Sequence, residues 1–125
     1  MHNLAKLAAV LVGLFSISMG LLAWVDPGKV GEVMGLVAPA ELGVHSLRGD
    51  IGAVFLASAL GCALALFQGK TMGLKIPIIL YGLVLTGRLI SLVVTGNGVG
   101  VMGPIIIEVV LISLSVFAFR TLKTA

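Results

Sequence analysis

The sequence predicts an all-α fold, a bundle of four transmembrane helices running up-down-up-down, and three observations predict it. Hydrophobic residues make up 59% of the 125-residue chain and charged residues 10%, whereas a soluble domain carries about 25% charged residues. The mean hydropathy is +1.23. The apolar residues gather into four long runs, with lysine and arginine mostly at the run ends. The net charge of +3 therefore belongs to membrane topology. No basic patch interleaved with aromatics offers a nucleic-acid surface, so no nucleic-acid partner is expected.

The runs are Leu4 to Val25, Ser46 to Phe67, Leu74 to Thr95 and Pro104 to Arg120, within a single membrane domain over residues 1–125. A helix rises about 1.5 Å per residue, so about 20 residues cross a hydrocarbon core of roughly 30 Å. The first three runs meet that length and the fourth is slightly short. Strands are excluded because the runs are too long and lack polar alternation. His2 and Lys6 give the first run a weakly positive start ahead of an apolar core, which is the pattern of a signal peptide. No A-x-A-like site closes it, and AWVDPG is a poor cleavage context, so a mature helix is expected.

The connection from Asp26 to His45 is rich in glycine and proline. Val30, Val33, Met34 and Val37 follow helical spacing up to Pro39, which predicts either a short interfacial helix or an irregular loop. QGKTMG reads as a tight turn, and GNGVGVMG as an uncharged turn leading to Pro104 at the fourth helix start. Lys6, Lys70, Lys75, Arg120 and Lys123 share one side of the bundle. The opposite side has a loop with three acids and one lysine. Positive loops face the cytoplasm, so both termini are expected there, with Trp24 near the outer interface.

Depth then groups four charges. Arg48 and Asp50 fall in the first two turns of a helix starting at Ser46. Arg88 lies seven residues before Thr95, about 10 Å below the outer end. Glu108 is one turn past Pro104. All four share the outer half of the bilayer and sum to zero. Each isolated charge would cost roughly 2.5–3.5 kcal/mol at a helix centre, so pairing is expected. Arg88 cannot lose its proton and needs a partner most. Glu108 is its first candidate and Asp50 its second. Tyr81, Val84, Arg88, Ser91 and Thr95 alternate spacings of three and four and form one polar seam. Arg48 and Asp50 point to nearly opposite sides of a helix, so Arg48 is free to snorkel. Ser46 is placed to cap the helix, and Asp50 to meet its dipole.

Gly49, Ala53, Ala57, Gly61 and Ala65 recur every four residues. This is a small-residue stripe that admits a close helix, either within the bundle or from a second copy. Cys62 lies in an apolar run and reads as a small buried thiol. No phosphate-binding loop, zinc motif or calcium loop is present, and His2 and His45 sit near ends. No cofactor or metal is expected. A triad of His45, Ser46 and Asp50 is discounted, because such near neighbours rarely reach triad geometry.

The stretches LRGDIGAVFLASALGCALAL, YGLVLTGRLISLVVTGNG and IIIEVVLISLSVFAFR together resemble the domain of unknown function 4345 family and, loosely, DoxX-like four-helix membrane proteins. The shared pattern is Arg48-Gly49-Asp50, then Gly87-Arg88 with Ser91, then Glu108, over about Ser46 to Arg120, with a weaker match in the first helix. Family members often carry an acid before the glycine that ends the third helix. Thr95 stands there in this chain, so a role for that acid does not carry over. The resemblance implies a small bacterial inner-membrane protein and supplies no activity.

The charges read either as an ionic clamp fixing helix register or as a polar pocket. The expected function is non-enzymatic: an accessory membrane protein or a binder of lipid or a small amphiphile. In this reading Arg88 anchors an anionic group and Glu108 balances it, with Arg48, Asp50, Tyr81 and Ser91 alongside. A membrane-protein partner or homodimer is the remaining partner class. The alternative is a small proton-coupled transporter or channel using Glu108 or Asp50.

Overall fold

The computed structural model describes residues 1–36, 41–96 and 100–123. Val37 and Pro39, and much of the GNGVGVMG turn, lie outside the described residues. The described chain holds five helices and no strand: α1 (His2–Val25), α2 (Pro27–Met34), α3 (Glu41–Gln68), α4 (Thr71–Thr95) and α5 (Met102–Lys123). All but α2 are long and apolar enough to span a membrane, with mean hydropathies of 2.0–2.2. The fourth span runs from Met102 and closes the length deficit expected of a run starting at Pro104. Proline is tolerated there because first-turn N–H groups have no intrahelical acceptor.

The four long helices form the bundle. α1 packs against α3 and α5, and α4 bridges α5 and α3. Lipid removes the hydrophobic drive between helices, so close packing and buried hydrogen bonds must hold them. α1 meets that need with small residues. Its buried face runs Ala5, Ala9, Val12, Ser16, Gly20 and Ala23, at spacings of three and four. A Cβ at Gly20 would come 2.6 Å from Leu56 of α3, and one at Gly52 would come 2.9 Å from the Trp24 indole nitrogen. Leu7, Leu11 and Leu14 point away from the bundle, as lipid-facing residues should.

The loop between the first two spans does form a short helix. Asp26 caps α2, accepting from the Lys29 N–H at 3.2 Å, and Pro27 supplies the preset first-turn φ. Gly35 ends it at φ +68°. The Leu36 N–H donates to the Gly31 carbonyl and the Gly35 N–H to that of Glu32, which is a Schellman closure.

The start of α3 differs from expectation. The helix begins at Glu41, so Ser46 is interior and its hydroxyl donates to the Leu42 carbonyl at 3.0 Å. Residues Leu47–Ile51 form a π-helical turn. A π turn widens the helix and shifts everything before it around the axis. Here Leu47 is buried while Arg48, Gly49 and Asp50 face outward. Arg48 Nε donates to the Trp24 carbonyl at 3.0 Å. That carbonyl belongs to the last turn of α1, where acceptors lack intrahelical donors and a cation is favoured.

The small-residue stripe also divides. Gly61 and Ala65 are buried, Ala57 is half-buried, and Gly49 and Ala53 are exposed. Residues four apart drift about 40° per step around a 3.6-residue helix, so such a row cannot stay on one face for long. Where it is buried, the approach is close. Gly61 meets the backbone of Gly73, in the 3₁₀ turn that opens α4, and a Cβ on Gly73 would sit 2.5 Å from the Gly61 carbonyl oxygen. This locks α3 to α4 at the end of the bundle bearing the chain termini. Lys75 and Lys123 flank the Phe119 ring there at 5.7 and 5.5 Å.

Candidate functional site

Toward the α2 end the bundle opens into a cavity of about 280 Å³ with residues of all five helices around it. Its walls are mostly apolar. Phe15 and Phe55 meet edge to face at 6.1 Å, and Phe55 lies 6.2 Å from the Tyr81 ring. These rings mark the deep part of the cavity. Met19, Val33 and Met34 come from α1 and α2. Methionine adapts its shape and suits a wall that must fit variable contents.

The polar content comes from α4 and α5. Arg88 and Glu108 both line the cavity. Arg88 Nε donates to Glu108 Oε1 at 2.6 Å, with the side chains 25% and 8% exposed respectively. The pair joins two helices through a short charge-assisted bond, the form a membrane interior demands of opposed charges. It leaves two loose ends. Glu108 Oε2 is buried and has no hydrogen-bond partner. Among the described residues, the guanidinium bonds through Nε alone. A buried, unpaired carboxylate oxygen costs more than an ordinary lost hydrogen bond, because the group is charged.

Tyr81 lines the cavity and is held from below. Its hydroxyl and that of Ser16 are 2.6 Å apart and buried. Ser16 does not line the cavity but holds Tyr81, and the sequence reading missed it. The available signal was its place on the small-residue face of α1, where a hydroxyl needs a partner on a facing helix.

The structure brings together Arg88, Glu108 and Tyr81 of the expected set. It does not bring in Arg48, Asp50 or Ser91. Arg48 and Asp50 are exposed on the π turn, outside the cavity lining, so Asp50 does not reach Arg88. The four-charge cluster is thus one ion pair plus two surface residues. Equal depth along a helix says nothing of azimuth, and the π turn set the azimuth. Ser91 is exposed as well, and its carbonyl accepts from the Thr95 hydroxyl at 2.5 Å. The polar seam of α4 faces the bundle from Tyr81 to Arg88 and turns outward beyond it.

No protein-family model matches this chain, and no match to a curated protein or to a solved structure is found. The fold and site define an integral membrane helical bundle with an ion-paired internal cavity.

Proposed function

We propose that this chain is a non-enzymatic protein of the bacterial inner membrane that binds a small amphiphile. The apolar part of the ligand lies against Phe15 and Phe55, and its head lies at the Arg88–Glu108 pair. Membrane lipids and this amphiphile are its partners, both termini are cytoplasmic, and it belongs beside the domain of unknown function 4345 proteins it resembles. One observation carries the reading. A clamp alone needs two charges in contact, yet here both members of the pair line an apolar cavity of about 280 Å³, and Arg88 spends only its Nε on Glu108. Concave apolar pockets with a few convergent polar groups are the usual form of small-molecule sites.

Native mass spectrometry of protein released from mild detergent tests this. A bound small molecule should appear with the wild type. It should be lost in Arg88→Ala and in the cavity-filling Val84→Trp, which leaves both charges in place. Protein that is empty in every preparation would remove the reading.

A further inference from the structure

We propose that a groove between α1 and α3 seats one chain of an anionic phospholipid, with the lipid phosphate held by Lys6 and Lys70. The groove shares no lining residue with the Arg88–Glu108 cavity, so it is a separate site and does not rest on the amphiphile reading. Its volume is about 220 Å³. Ala59 and Cys62 line it and are buried, so they form its floor. Gly13 lies beside them, where a Cβ would come 3.2 Å from that of Cys62. Small residues bring the two backbones close and leave a trough above them. Leu14 and Ile17 of α1 and Phe67 of α3 line the same groove and are exposed, Phe67 by 86%, so they form its rim. An unfilled trough forfeits dispersion contacts along its whole lining, and in a membrane the material at hand is hydrocarbon.

Charge and depth select the lipid. Lys6, Val10, Leu14 and Ile17 are spaced by four, four and three, so they share one face of α1 and put Lys6 at the mouth of the groove. Lys70 follows Phe67 by three residues, just past the end of α3. Both lysines are exposed. The five acidic side chains, Asp26, Glu32, Glu41, Asp50 and Glu108, all belong to the half of the bundle away from the termini. The two ammoniums are therefore left for an outside anion, and lysine binds phosphate as a point charge. Lys75 and Lys123, at the same end, stand at the Phe119 ring on the α4 and α5 side instead. Depth agrees with this assignment. Ile17 is eleven residues from Lys6, about 16 Å along the axis. One leaflet supplies half of a hydrocarbon core of roughly 30 Å. The groove thus covers the depth of a single leaflet's chains, with its basic mouth at the headgroups. A volume of about 220 Å³ is about seven times the share of one water in the liquid. That takes a length of one acyl chain and leaves the second chain in the bilayer.

Photolabelling of the full chain in phosphatidylcholine nanodiscs tests this. Two probes, a phosphatidylglycerol and a phosphatidylcholine, carry the same acyl chain with a mid-chain diazirine and are added at the same low fraction. The anionic probe should label the segments 10–17 and 59–67 about tenfold more than the other, as expected for two lysines acting on one anionic head. Lys6→Gln with Lys70→Gln should remove that preference. Lys75→Gln with Lys123→Gln takes equal charge from the same end and should leave it intact. Ala63→Phe fills the groove, keeps both lysines, and should also remove the preference. Equal labelling by the two probes on wild-type protein would overturn the anionic lipid. Equal loss in the two lysine pairs, or a preference that survives Ala63→Phe, would overturn the groove and assign the attraction to the basic end as a whole. All four lysines are exposed, so the lysine variants decide the point even if Ala63→Phe fails to fold.

Discussion

At the scale of single residues, Arg88 and Glu108 explain each other. Either one alone would be an uncompensated charge inside the bundle. Breaking a buried pair costs about 3–5 kcal/mol, since the remaining partner stays desolvated. Arg88→Glu and Glu108→Arg should each lower the unfolding temperature in detergent sharply. The double swap should recover a substantial part of the loss, with a coupling of at least about 1 kcal/mol for residues in contact. A double variant no better than the singles would refute the contact. Tyr81→Phe removes a different bond. It leaves the Ser16 hydroxyl, now bonded at 2.6 Å, without its buried partner. A loss of about 1 kcal/mol is expected, with helix content by circular dichroism unchanged. The arginine and glutamate were legible in the sequence because charge in an apolar run demands a partner. Ser16 was not, because a lone serine in a helix makes no such demand until the facing tyrosine is known.

At the scale of elements, two glycines of one predicted stripe behave oppositely. A Cβ on Gly61 would collide with the backbone of Gly73, whereas a Cβ on Gly49 would meet nothing within 4 Å. Gly61→Ala should cost about 1–3 kcal/mol through overpacking that backbone cannot relieve. Gly49→Ala should be neutral or stabilising by up to about 1 kcal/mol, the ordinary gain of alanine over glycine in a helix. Thermal unfolding of the two variants side by side decides this, and equal losses would show that the stripe acts as one face. The spans themselves were legible, since length and apolarity are local properties. The α2 helix was partly legible, as its Asp26 and Pro27 start and Gly35 stop are local signals. The π turn at Leu47–Ile51 was not. No residue type demands it, and Arg48 and Asp50, expected on nearly opposite sides of the helix, both lie exposed on it.

At the scale of the molecule, the basic residues Lys6, Lys70, Lys75, Arg120 and Lys123 gather at the end of the bundle that carries both termini. In cells expressing a Cys62→Ala background, Asn3→Cys and Lys123→Cys should both resist a membrane-impermeant thiol reagent, while Glu32→Cys reacts. Reaction at either terminus in intact cells would reverse the orientation. The bundle is also closely packed where α3 meets α4 and hollow toward α2. Gly61 and Gly73 allow contact of backbones at the terminal end, while toward the α2 end aromatic and methionine side chains stand around a cavity. What the sequence by itself determined was the membrane, the number of spans, their order and the need for Arg88 to find an opposite charge. Each of these follows from one-dimensional quantities: hydropathy, run length and charge balance. Only the tertiary structure decided which acid answered Arg88, which small residues touched, and that a cavity lay beside the pair. Those depend on how helices are rotated and spaced about their axes, and a π turn or a single backbone contact is enough to change that.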